Sequence, residues 1–149
     1  MRVALGSDHG GYELKKVILK HLEAQGFKVE DFGTYTSNSV DYPKYGFSVG
    51  NAIIKGQADL GIVICGTGQG MSMAANKISG IRAAVCSETF SARMARAHNN
   101  ANVLSLGARV IGAGLALDIV DIFLQTEFLG GRHAVRLNLI SNIERGETV

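Results

Sequence analysis

Proline, cysteine and net charge are scarce in this 149-residue chain, with one proline, two cysteines and a formal charge of +2. Each scarcity closes off a class of function. Lys and Arg number 15 against 13 Asp and Glu, spread without blocks, so no basic face offers itself to nucleic acid or to an anionic membrane surface. The longest apolar stretch, Val110 to Leu124, contains Asp118 and Asp121 and falls short of the roughly 20 residues needed to cross a bilayer. The first residues reach Asp8 too early for a signal-peptide core and no small-residue cleavage site follows, so secretion is not expected. A chain of this size needs no staple, and Cys65 and Cys86 are read as free thiols in a cytoplasm. His9, His21, His98 and His133 show neither an i, i+4 nor a cysteine-paired spacing, so no metal site is read. Glycine, by contrast, is abundant at 19 residues, about 13% against a usual share of about 7%, which points to tight loops. One domain over residues 1–149 with a small-molecule partner is the reading that remains.

Periodicity gives the architecture. Arg2 to Ser7 is an apolar strand, and Tyr12 to Gln25 reads as a helix with Leu14, Val17, Ile18 and Leu22 on its inner face and Lys15, Lys16 and Lys20 on its surface. The alternation repeats with strands at Phe27–Phe32, Leu60–Cys65, Ile81–Cys86 and Val103–Leu106. The intervening helices begin near Pro43, Met71, Ser87 and Gly112. Apolar strands each followed by a crossover helix indicate a doubly wound α/β fold whose parallel sheet is covered on both faces. A last helix, from about Arg132 to Ile143, has no strand after it and is read as packing on a partner subunit.

Ligands of open parallel sheets bind beyond the carboxyl ends of the strands, so the residues just after each strand carry the functional information. Here they are Ser7-Asp8-His9-Gly10-Gly11, Cys65-Gly66-Thr67-Gly68-Gln69-Gly70, Cys86-Ser87-Glu88 and Gly107-Ala108-Arg109. The loop Gly66–Gly70 is either a structural turn or a set of converging N–H groups for a phosphate or a developing oxyanion. It meets neither the G-x-G-x-x-G spacing nor the P-loop ending. Glu88 nevertheless stands where a dinucleotide fold places its ribose-binding acid, which keeps a non-catalytic nucleotide module as a rival. Cys65 at the head of the loop is either a small buried hydrophobe or an activated thiol, and Cys86 is read as the former. His98-Asn99-Asn100-Ala101-Asn102 satisfies an end-of-helix loop on its own. Arg132 and Arg136, one helical turn apart, form a solvated face or reach one anion together.

Taken together, Ser7-Asp8-His9-Gly10-Gly11, Asp41-Tyr42-Pro43, Cys65-Gly66-Thr67-Gly68-x-Gly70, Ala74-Ala75-Asn76-Lys77, Gly80-Ile81-Arg82-Ala83, His98-Asn99-x-Ala101-Asn102 and Gly130-Gly131-Arg132-His133 closely resemble the type B ribose-5-phosphate isomerase family, which includes the galactose-6-phosphate isomerase subunits. The likeness runs from about Val3 to Ile143. It implies a Rossmann-like three-layer sandwich with a five-stranded parallel sheet and an extra C-terminal helix. It also implies an aldose–ketose isomerase of pentose phosphate metabolism, acting without metal or organic cofactor. Cys65 is then the base that moves a proton between C2 and C1, and His98 the acid that opens the furanose ring. Gly66, Thr67, Gly68, Gln69 and Gly70 hold the enediolate oxygens, Asp8, His9 and Asn99 contact sugar hydroxyls, and Arg109, Arg132 and Arg136 hold the phosphate. A six-carbon 6-phosphate of allose or galactose is the alternative substrate.

Chain order adds an expectation of its own. Cys65 ends a strand, whereas His98 precedes one, so they belong to opposite edges of the sheet, on the order of 17 Å apart. Their joint action on one sugar requires a homodimer with shared sites; a dimer of dimers is left open.

Overall fold

Six residues of unbroken aliphatic sequence, Leu60–Cys65, form the central strand, and the rest of the sheet is laid out around it. In chain order the elements of the computed structural model, which describes residues 1–149, are β1 (Arg2–Ser7), α1 (Tyr12–Ala24), β2 (Lys28–Asp31), α2 (Tyr42–Ile54), β3 (Leu60–Cys65), α3 (Gln69–Ala75), β4 (Ala83–Val85), α4 (Thr89–Ala97), β5 (Val103–Gly107), α5 (Ala113–Gln125) and α6 (Arg132–Glu144). All strand pairs are parallel, in the order β2-β1-β3-β5-β4. Alternation along β3 sends Leu60, Ile62 and Ile64 into one core with Leu14, Ile18 and Leu22 of α1 and Ile119, Val120 and Phe123 of α5. Val63 and Cys65 face the other way, into a smaller core with Val49 and Ala52 of α2 and Met71 and Ala75 of α3. Each fully buried aliphatic side chain contributes roughly 1.5–3 kcal/mol to holding these layers together.

The doubly wound α/β reading is therefore what the chain adopts. Lys15 departs from it: expected on the surface, it is 1% exposed. Its ammonium donates to Asp31 Oδ1 at 2.6 Å, to Asp31 Oδ2 at 2.7 Å and to the Thr34 carbonyl at 2.8 Å, so every proton is used. Val17, expected on the apolar face, is 42% exposed instead. β4 is shorter than its apolar run, beginning only at Ala83, and just before it the Arg82 N–H donates to the Asn102 side chain at 2.7 Å. The Asn76 side-chain amide accepts from Ala83 N at 2.7 Å and donates to Ala83 O at 3.0 Å, taking up both hydrogen-bonding groups of that residue on the outer edge. His21 bonds Asp121 at 2.8 Å and ties α1 to α5. α6 buries only His133, leaving Val135, Leu139, Ile140 and Ile143 exposed. No helix is long and apolar enough to cross a membrane.

Candidate active site

Two clusters of polar residues sit at opposite edges of the sheet. At the carboxyl edge β3 runs out at Cys65, whose carbonyl accepts from Ala108 N at 2.8 Å, and Gly66 O accepts from Arg109 N at 3.0 Å. The β5 exit is thereby stitched to the β3 exit, and the Arg109 side chain lies alongside Gly66, where an added Cβ would meet its Nε at 3.5 Å. From the other side, Gly11 passes so close over β3 that a Cβ there would stand 2.4 Å from the Ile64 carbonyl, so only glycine fits. That close passage sets Asp8, His9 and Gly10 against Gly66. Asp8 is 8% exposed, accepts from Gly11 N through Oδ1 at 3.1 Å, and keeps Oδ2 available. His9 accepts from Val40 N through Nδ1 at 3.2 Å, which fixes the ring and leaves Nε2 free.

The loop itself is a cradle rather than a turn that satisfies its own amides. Gly68, at φ +81°, turns its N–H onto Cys65 Sγ at 3.1 Å. The conformation is held from below by Ser105 of β5, whose buried hydroxyl donates to Gly68 O at 2.6 Å. The amides of Gly66, Thr67, Gly70 and Met71 donate to no protein atom. A buried sulfur (6% exposed) with one N–H aimed at it and four more amides free of protein partners in the same loop offers, as a thiolate, a base for a proton and donors for the negative charge that results. Tyr42 roofs the loop so closely that a Cβ on Gly70 would lie 2.7 Å from its ring.

At the amino edge, His98 closes α4. Its ring stacks on His133, with centroids 4.1 Å apart and planes 8° from parallel, and Leu129 N donates to Ala97 O at 3.0 Å, docking the start of α6 beside it. Arg132 and Arg136 stand exposed on either side of His133. Burial, then the nearby charges of His98, Arg132 and Arg136, hold the His133 imidazole below its usual titration range. Asn99 is exposed and lines a cavity of about 490 Å³ between α4, the β4 edge and α6, together with Arg82, Ile140, Ile143 and Glu144. None of the cavities is lined by Cys65.

Within one chain, then, Asp8, His9, Cys65, Gly66–Gly70 and Arg109 come together, and His98, Asn99, Arg132 and Arg136 form a separate group. The β3–β5 register pairs Cys65 with Gly107 and Gly61 with Val103, so the length of the sheet, about 13 Å over those four steps, lies between the two groups. Glu88 belongs to neither. Its carboxylate caps α4, accepting from Phe90 N at 2.6 Å and Ser91 N at 2.7 Å, and the Ser91 bond foremost holds it below the usual carboxylate range. β5 also intervenes between β3 and β4, which puts the strand that ends before Glu88 about 10 Å from β3, twice the single strand spacing at which a ribose-binding acid would stand. Sequence reasoning missed Ser105, Tyr42 and His133. Ser105 has no local signal, while Tyr42 and His133 stand inside motifs that were quoted without a role for either.

A family model described as Ribose/Galactose Isomerase matches residues 3–140. The chain is 49% identical over 144 residues to ribose-5-phosphate isomerase B of Escherichia coli strain K12, covering 97% of both. Its fold superposes on a structure of Clostridium thermocellum ribose-5-phosphate isomerase B with a TM-score of 0.97 at 56% identity, covering 98% of this chain and 99% of that one. A Mycoplasma genitalium ribose-5-phosphate isomerase B with bound ribulose-5-phosphate matches with a TM-score of 0.93 at 42% identity, covering 97% and 96%.

Proposed function

Because this chain belongs to the ribose/galactose isomerase family, we propose that it interconverts ribose 5-phosphate and ribulose 5-phosphate through an enediolate, without metal or organic cofactor. The observation that carries the reading is the Gly68 N–H directed at the Cys65 sulfur beside four unpartnered amides. His98 delivers a proton to the ring oxygen as the C1–O4 bond of the furanose breaks, and the anomeric hydroxyl gives up its proton to water, leaving the aldehyde at C1. The Cys65 thiolate takes the proton from C2 of the open aldose, and the electron pair moves onto the C1 oxygen, where the loop amides meet it. A proton passes between the two oxygens, and Cys65 returns its own proton to C1. Asp8, His9 and Asn99 hold hydroxyls, and Arg109, Arg132 and Arg136 take the phosphate, whose binding energy positions C1 and C2 against the sulfur.

With Cys65 and His98 at opposite edges, the reading requires a homodimer in which each site draws on both subunits. The unpartnered aliphatic side of α6 supports such a contact, and the two unpaired thiols support a cytoplasmic setting. Steady-state turnover of ribose 5-phosphate, allose 6-phosphate and galactose 6-phosphate, side by side, tests the substrate; preference for either hexose phosphate overturns the five-carbon assignment. Turnover is expected to persist in EDTA. Mixing inactive Cys65→Ala with inactive His98→Asn tests the shared site. Random exchange makes about half the dimers hybrid, each with one intact site, so activity should return to roughly a quarter of wild type. No recovery, with exchange confirmed by mass, places both residues in one subunit.

A further inference from the structure

We infer that His133 is a positioning residue for His98, holding that ring in the one orientation from which it can protonate the sugar. The inference rests on the role proposed above for His98 and extends it to a residue that the substrate need not touch. His133 is 8% exposed, yet its ring forms none of the side-chain hydrogen bonds that usually justify burying an imidazole. Its one close ring partner is His98, nearly coplanar at 4.1 Å. The backbone on both sides is built to keep it there. Gly130 and Gly131 both adopt positive φ, +64° and +53°, to turn the chain into α6, and the Leu129–Ala97 hydrogen bond fastens that turn to the end of α4.

Charge explains the choice of residue. Two imidazoles this close are not readily cationic together, so a protonated His98 needs a neutral neighbour. The charges bearing on His133 are His98 from the end of α4 and Arg132 and Arg136 from its own helix, and together with burial they all oppose its protonation. His133 therefore stays neutral beside His98 and offers that ring a flat face to stack on. Without the platform, His98 is a side chain with free χ angles at a helix end.

A double-mutant cycle tests this. His133→Ala is expected to lower kcat with ribose 5-phosphate about 10- to 100-fold with KM changed less than about threefold, while His98→Asn lowers kcat by roughly 10² to 10⁴. If His133 works through His98, the double variant is no slower than His98→Asn alone. His133→Phe, which keeps a flat ring of similar size, recovers most of the loss. Losses that multiply in the double variant, or a Phe variant as slow as Ala, overturn the proposal. Should His133→Ala fail to fold, His133→Phe decides alone: it must keep at least about a third of wild-type kcat, and a lower value overturns the proposal. A wild-type protein that leaves ribose 5-phosphate unchanged removes the isomerase reading and this inference with it, an outcome distinct from multiplying losses in an active enzyme.

Discussion

Cys65 and Cys86 follow neighbouring apolar runs and are almost equally buried, at 6% and 3% exposure, yet their surroundings are opposite. Cys65 receives an N–H at 3.1 Å, and four further amides of the backbone after it donate to no protein atom. Cys86 faces carbonyl oxygen, its sulfur 4.0 Å from Ala84 O, and burial first, with the Glu88 carboxylate second, pushes its thiol up to about 11. Depth therefore does not distinguish the thiol proposed as the base from the packing one. What distinguishes them is which end of the peptide dipole the chain turns toward the sulfur, and that is decided by the glycines that follow.

The sharpest test of the contrast is removal of each sulfur. Cys65→Ala should lower turnover by at least about 10³ while leaving the melting temperature within a few degrees, since a positioned base contributes roughly 10² to 10⁴. Cys86→Ala should keep turnover within about twofold and lose about 1–2 kcal/mol of packing. In the native protein at neutral pH iodoacetamide should label Cys65 first, in step with inactivation, as followed by mass. Labelling of Cys86 that tracks inactivation breaks the comparison.

A smaller effect comes from the dipole itself. Gly68→Ala places a Cβ at positive φ and 3.1 Å from the Leu106 carbonyl carbon, which costs about 1–3 kcal/mol. As the strain is relieved the amide leaves the sulfur, and kcat should fall by about 10². Retention of full activity would show that this N–H is incidental. Smaller again is Ser105→Ala, which takes from the Gly68 carbonyl one of its two donors and leaves it the Ser72 N–H; it should cost about 0.5–1.5 kcal/mol and reduce kcat several-fold, measured by urea unfolding and steady-state kinetics.

The smallest effect lies at Cys86 and in alkali. Its folded-state value of about 11 stands above the ordinary 9.0, so the native state holds the proton more tightly than the unfolded chain. The stability this brings is complete below pH 9 and is lost as pH rises toward 11. Between those values the wild type should lose on the order of 1 kcal/mol more than Cys86→Ala, allowing for screening. Parallel stability curves for the two proteins would contradict it.

β1, β3, β4 and β5 were legible in the sequence because they are largely apolar, and the helices because their periods are regular. Lys15 was not, since an ammonium is placed on the surface by default and only the fold brings Asp31 and the Thr34 carbonyl to it. Strand order was not legible either. That β5 inserts between β3 and β4 depends on which helices share a face, and this insertion is what removed Glu88 from consideration. The carboxyl-edge cluster was visible as residue types at strand ends, because topology alone delivers them to one place. The His98–His133 pair spans 35 positions of chain and has no pattern that links its members.

The Asn76 amide, bonded both ways to Ala83, also has a bearing on solubility. A bare outer strand is a template on which another chain can add by main-chain pairing, the route to fibrils and misassembly. Asn76 occupies that template with a side chain that imitates a peptide group, and the strand beyond it is only three residues long. Addition of a further strand is thus hindered at this margin of the sheet.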